Sequence, residues 1–182
     1  MTDGTSAPDE TRLRRASIAD AARIAALINS AYRGDSSRRG WTTEADFLGG
    51  QRIDTAAIAE ILSTPQKHIL VAERDDTLFG SVHLERTGDD VCHFGMFVVK
   101  PDLQAQGLGK RFIAEAERFA QRTLGCATMQ MLVISIRGEL IAWYERRGYR
   151  RTGERRPFPY GDERFGIPLR SDLEFIVLTK KL

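Results

Sequence analysis

The sequence predicts an α/β (α+β) fold, a single domain built on a mixed central β-sheet of about six to seven strands with about four helices. Three observations predict it. Strand-like apolar runs at residues 68–72, 78–86 and 91–99 follow one another with only tight acidic turns between them, as in an antiparallel meander. Further runs at 128–134, 149–154 and 172–179 are interleaved with helical periodicity, the signature of a mixed sheet. No repeat, low-complexity tract or linker divides the 182 residues, and a chain of this length buries roughly 70% of its unfolded surface in one core. Residues 1–11 read as a flexible tail and residues 12–182 as the domain.

The elements follow in order. Ser17 suits a helix N-cap, with Asp20 three positions on, and Ile24, Leu27, Ile28 and Ala31 then recur at helical spacing. Residues 34–50 lose that period and hold four glycines, so they read as a loop or broken helix, after which Asp54 caps a second helix through Leu62. The meander comes next. A helix over residues 107–122 carries Phe112, Ile113, Ala116, Phe119 and Ala120; another spans 139–147, with Gly148 placed to end it in a left-handed conformation. Pro157, Pro159 and Pro168 mark a loop before the last strand.

Charge and composition exclude several function classes. The 27 basic and 25 acidic residues leave a net charge of +2, so nothing in the whole-chain balance advertises a nucleic-acid partner. No stretch reaches the roughly 20 apolar residues of a membrane span, and no signal peptide opens the chain, so the expected address is cytoplasmic. Cys92 and Cys126 stand apart, without the spacing of a disulfide framework or a zinc site, and no metal is expected.

The chemistry concentrates where the strand ending Phe97-Val98-Val99 runs through Pro101 into Gln104-Ala105-Gln106-Gly107-Leu108-Gly109 and then into a helix. Glycines let backbone approach an anion there, unpaired N–H groups and the helix dipole favour negative charge, and Lys110 and Arg111 add cations. A dinucleotide-binding turn needs a small residue where Phe112 sits; a nucleotide triphosphate loop needs Gly at 104 and Ser or Thr at 111. Both fail. A plain glycine-rich turn stays open on this motif alone.

With its strand, Pro101 and long helix, the motif Gln104-x-x-Gly107-x-Gly109 resembles the coenzyme A motif of the GCN5-related N-acetyltransferases (GNAT). A second block, Ala142 through Tyr149 with Tyr144-x-x-x-Gly148-Tyr149, is similar to that family's tyrosine signature on the helix before its sixth strand. The likeness covers roughly residues 66–155. It implies acetyl-CoA as cosubstrate, no metal, and direct attack by an amine in a ternary complex.

The resemblance also implies roles. Phe97, seven residues before Gln104, supplies the backbone N–H that polarises the thioester carbonyl, and Val98 and Val99 extend the same strand edge toward the pantetheine arm. Gln104 through Lys110 hold the pyrophosphate. Tyr144 is the candidate general acid for the departing thiolate; interior packing is its alternative reading. His93, eleven residues before Gln104, is the candidate base, sharing one face with Gly95, Phe97 and Val99 if the strand is regular. A structural strand histidine is the alternative, and His83 and Glu85 are second choices. Where the family has an asparagine this chain has Arg137, which either reaches a cofactor phosphate or points into water.

Residues 137–156 hold seven arginines against three glutamates, read either as an anion-attracting patch or, preferably, as a solvated face. Tyr32, Trp41, Glu44 and Tyr160 are the candidate acceptor-binding residues, since aromatics with carboxylates hold a cationic amine. The expected acceptor is a small-molecule amine. A protein lysine or N-terminus, or a coenzyme A-binding module without catalysis, are the alternatives, and a homodimer is left open as the assembly.

Overall fold

The computed structural model describes residues 11–182, so the tail reading falls almost wholly outside the described residues. Strand β1 (Arg12–Arg15) leads through a 3-10 turn into helix α1 (Ala21–Tyr32), the short α2 (Gly34–Ser37), β2 (Leu48–Gly49) and α3 (Thr55–Ser63). The meander is β3 (Lys67–Arg74), β4 (Thr77–Thr87) and β5 (Val91–Val99). Then follow α4 (Leu108–Arg122), β6 (Thr128–Ile134), α5 (Gly138–Glu145), β7 (Arg150–Pro157), β8 (Ile167–Pro168) and β9 (Glu174–Lys181). Seven strands form the main sheet in the order β1-β3-β4-β5-β6-β9-β7, and β2 pairs with β8 in a separate ribbon.

Strand β1 escapes sequence reading. Its residues Arg12-Leu13-Arg14-Arg15 show no apolar alternation and are mostly exposed; what makes them a strand is antiparallel pairing with β3. Arg14 anchors it, donating to Glu73 at 2.9 and 2.8 Å and to Asp20 at 2.8 and 2.9 Å. Asp20 in turn accepts from the Ser17 amide, so the anticipated capping pair also carries the strand.

Two cores flank the sheet. Helix α4 buries Phe112, Ile113, Ala116 and Ala120 against Val82, Leu84, Cys92 and Phe94, together with Ile141 and Tyr144 of α5. On the opposite face Ile24 and Ile28 of α1 and Ile58 of α3 meet Ile69, Val71 and Val98. Cys92 and Cys126 are buried free thiols; burial pushes Cys92 up to about 12, so it is no nucleophile at neutral pH.

Two departures from a regular sheet shape the site. Gly80 and Ser81 pair with Val99 and Val98, but His83 pairs with Gly95, so Val82 alone opposes Met96 and Phe97. Met96 adopts a left-handed backbone, φ +46°. This β-bulge flips the side-chain parity of β5. The expectation that His93, Gly95, Phe97 and Val99 share one face is therefore wrong: Phe97 and Val99 pack on the α4 side, whereas His93 and Gly95 lie opposite Phe94, on the other side. The second departure is a splay. Strand β5 pairs with β6 only from Val91 to His93, and residues 94–99 leave the ladder although β6 continues to Ile134.

Candidate active site

The splay opens a gap between β5 and β6, the fourth and fifth main-sheet strands in chain order. A cavity of about 490 Å³ lies along residues 97–99 of β5, and a smaller one of about 170 Å³ is lined by residues 93–97 of β5 and 131–134 of β6. Tyr32, Phe97, Arg137, Leu140 and Tyr144 line both, so the two meet at these five side chains.

The larger cavity is framed by the glycine loop. Gly107 caps α4 with φ +77°, a conformation that costs a side-chain-bearing residue strain, and Ala105 pays that cost at φ +63°. Of the residues expected to hold cofactor, Phe97, Val98, Val99, Gln104, Ala105, Gly107, Gly109, Lys110, Arg137 and Tyr144 line this cavity. Gln106 is exposed outside it, and Leu108 turns into the core. Gln104 acts as a staple: its Nε2 donates to the Val99 carbonyl at 2.9 Å, and its Oε1 accepts from the Trp41 amide at 3.1 Å.

Three lining residues were not among the expected cofactor contacts: Trp143, and Arg146 and Arg147 of the arginine run, which takes its anion-attracting reading at these two positions. The Arg147 guanidinium stacks 3.3 Å from the Trp143 ring centroid, and Trp41 stacks on the same indole at 6.2 Å. The signal existed, since Trp143, Tyr144 and Arg147 share a helical face. In the remainder of the arginine run, Arg151 pairs with Glu145, Arg155 with Glu174 and Arg156 with Glu154, all on exposed β7.

The chemistry of this cavity suits coenzyme A. Basic side chains and the amino end of a long helix gather at the loop, and apolar Leu140 and Trp143 line the cavity together with residues 97–99 from the unladdered stretch of β5.

The smaller cavity receives His93. Burial lowers its pKa, and Glu85, opposite it in the β4–β5 ladder, works the other way. His83, opposite Gly95, is 8% exposed, its Nε2 has no hydrogen-bond partner among the described residues, and burial holds its pKa at about 4. It lines neither cavity, which removes it as a base within reach. Tyr144 is 5% exposed, edge-on to Phe94, Trp143 and Tyr149, and burial pushes its phenol far up. It is an interior aromatic and a cavity residue at once.

The four expected acceptor contacts separate. Tyr32 lies at the junction of the cavities. Trp41 lines the larger cavity instead. Glu44 reaches the smaller cavity, but both its oxygens are taken: Arg33 donates to Oε2 at 2.5 Å and Arg137 to Oε1 at 2.8 Å. Arg137 also donates to the Thr42 hydroxyl at 2.8 Å, which fixes it between the cavities rather than in water. Tyr160 lies outside both cavities, its hydroxyl bonded to the Arg170 carbonyl and the Leu173 amide, so it is a loop staple.

Among the described residues no group of three or more His, Cys, Asp or Glu is placed to hold a metal, and no helix is long and apolar enough to cross a membrane.

Residues 65–151 match the model of an acetyltransferase (GNAT) domain. No curated protein matches the sequence. Among solved structures the chain resembles a proposed acetyltransferase of Salmonella typhimurium determined with its cofactor acetyl-CoA (20% identity, 94% of each chain covered, TM-score 0.68). It resembles equally a proposed phosphinothricin N-acetyltransferase (17% identity, 95% of this chain and 99% of that one, TM-score 0.69). A third likeness is to the ribosomal-protein-S18-alanine N-acetyltransferase of Escherichia coli (15% identity, 94% of each chain, TM-score 0.67). At these identities the shared property is the fold.

Proposed function

Residues 65–151 match an acetyltransferase (GNAT) domain, and from that premise we propose that the chain moves the acetyl group of acetyl-CoA to the primary amine of a small molecule by direct attack. The observation that carries this reading is the meeting of two cavities at Phe97 and Tyr144, one suited to a long phosphorylated donor and one of about 170 Å³. That volume falls below the roughly 300–1,000 Å³ of drug-sized sites. It favours a small acceptor over a peptide segment.

Acetyl-CoA supplies an activated acyl carbon and a thiolate leaving group. The chain's own residues supply the rest. The loop at Gly107 and Gly109, with Lys110, Arg146 and Arg147 beside it, holds the phosphates. On the stretch of β5 that has left the ladder with β6, the Phe97 N–H donates to the thioester oxygen; one such donor is worth roughly 3–4 kcal/mol as charge develops there. His93, on the acceptor side, takes the proton of the ammonium so that a neutral nitrogen forms the new N–C bond. As the C–S bond breaks, Tyr144 gives its proton to sulfur; burial keeps that proton on the phenol until then.

The experiment is turnover of acetyl-CoA against amino acids, aminoglycosides, polyamines and peptides, with product identified by mass, alongside thermal unfolding with coenzyme A. Saturation at 100 times the dissociation constant raises stability by about 2.7 kcal/mol. No stabilisation by coenzyme A or acetyl-CoA overturns the reading.

A further inference from the structure

The smaller cavity is a cationic site. Its lining includes Arg52, Arg137 and a single carboxylate, Glu44. Glu44 is 6% exposed and each of its oxygens already holds an arginine, Arg33 or Arg137, so it has no open position for an ammonium. Two buried guanidiniums against one carboxylate leave a positive charge in excess. The Nε atoms of Arg33 and Arg137 are buried without a partner among the described residues, and the Arg137 side chain is nine-tenths buried.

Arg52 adds a second positive charge. Its guanidinium stands 5.7 Å from the centroid of the Tyr32 ring, on the cavity wall, and pairs with no carboxylate among the described residues. Its place is fixed through its backbone, since Asn29 Oδ1 accepts from the amides of Arg52 at 2.6 Å and Ile53 at 3.2 Å. Burying uncompensated charge is costly unless an opposite charge completes the site.

We infer that the acceptor carries an anionic group, a carboxylate or phosphonate, on the same small molecule as its amine, and that Arg52 and Arg137 read that group from the wall of the smaller cavity. The inference rests on the acetyl-transfer reading above. It reverses the sequence-based picture of a carboxylate-lined pocket for a cation: polyamines and lysine-rich peptides meet repulsion. It also serves the chemistry, because nearby positive charge lowers the pKa of the acceptor ammonium and makes its proton easier for His93 to remove.

The test uses matched acceptors with acetyl-CoA: α-amino acids, their carboxamides, the corresponding amines without the acid group, and aminoalkylphosphonates. Arg52→Met and Arg52→Lys are run beside the parent, with melting temperature as the check on folding. The expected result is kcat/KM at least about 30-fold higher for an acid than for its amide, a gap that narrows in Arg52→Met and is partly restored in Arg52→Lys. The carboxylate and phosphonate arms tell which anion is preferred. Equal or better use of amides, plain amines or polyamines overturns the inference, as does an Arg52→Met loss that is the same for every acceptor.

A second readout is thermal stabilisation by N-acetylated acids and their amides in the presence of coenzyme A. Preferential stabilisation by the acids supports the inference. Coenzyme A stabilising the protein while no anionic ligand does overturns this inference alone; coenzyme A failing to stabilise it overturns the transfer reading and this one with it.

Discussion

The Tyr32 hydroxyl donates to the Phe97 carbonyl over 3.3 Å, tying the end of α1 to the bulge in β5. Phe97 follows Met96, whose left-handed backbone is held by its surroundings and not by its own preference. Burial raises the Tyr32 pKa above that of an ordinary phenol, so this donor keeps its proton at neutral pH. Tyr32→Phe leaves the carbonyl without that donor, and the expected cost is about 1 kcal/mol in urea unfolding. Turnover falls while acetyl-CoA affinity holds, because the loop at Gly107 is untouched. An unchanged urea midpoint shows that the bulge stands without Tyr32.

Tyr144 is the proposed acid, and Tyr144→Phe removes only its oxygen from a ring packed against Phe94 and Tyr149. Turnover is expected to fall by a factor on the order of 10² to 10⁴, with acetyl-CoA binding within a few-fold of the parent. Because burial raises this phenol well beyond its ordinary range, the parent's pH–rate profile carries no limb from it near neutral pH. Parent-like turnover in the variant assigns Tyr144 to packing.

Most of the fold was legible because its signals are local. Val91 to Val99 and Thr128 to Ile134 are apolar runs between turn residues, and both strands end where the run ends. Strand β1 was not, since a sequence of three arginines and a leucine becomes a strand only by pairing with β3. In the site, the glycine loop shows in its spacing, whereas Tyr144 stood out only through the resemblance of residues 142–149 to a family motif. The side of the sheet that His93 faces depends on one inserted residue at Met96, and nothing in an alternation pattern marks a bulge at a methionine. Glu44 illustrates the same limit: its carboxylate was read as a free acceptor-binding group, and only the fold brings Arg33 and Arg137 to its two oxygens.

His93 and Gly95 share a face, and a β-carbon on Gly95 would lie 3.3 Å from His93 Nε2, with no other side chain within 4 Å among the described residues apart from its chain neighbours. Gly95→Ala therefore displaces the imidazole and little else. Turnover is expected to drop about tenfold or more with only a small change in melting temperature. A base must be neutral to act; burial lowers the His93 pKa, so its neutral form persists to lower pH than a free imidazole's. Activity is lost as pH falls through that lowered pKa, and His93→Gln removes this acid limb. An acid limb that survives in His93→Gln sinks the base assignment.

Glu44→Gln keeps shape but removes the one carboxylate between Arg33 and Arg137. Breaking a buried pair by removing one partner costs about 3–5 kcal/mol, and here both guanidiniums lose their counter-charge. Denaturant unfolding measures the loss directly. Added salt is expected to recover little of it, because the cluster is shielded from solvent. A cost below about 1 kcal/mol shows that the two cations are solvated in the native state.

His83 contributes to the acid sensitivity of the fold. It is buried, its pKa is held at about 4, and an unfolded histidine titrates near 6.5. Above 6.5 both states are neutral at this position and the residue is silent. As pH falls from 6.5 toward 4 the unfolded chain takes up a proton that the native state refuses, so stability declines over that window by up to about 3 kcal/mol and then levels off. His93 and His68 are lowered as well and act in the same direction, so the parent alone does not isolate His83. The difference between the parent and His83→Gln does. Chemical denaturation at pH 7.5 and at pH 4.5 is expected to show the parent losing more stability than the variant. The same loss in both proteins means that His83 is charged in the native state, with Glu85, 3.9 Å away, as its partner.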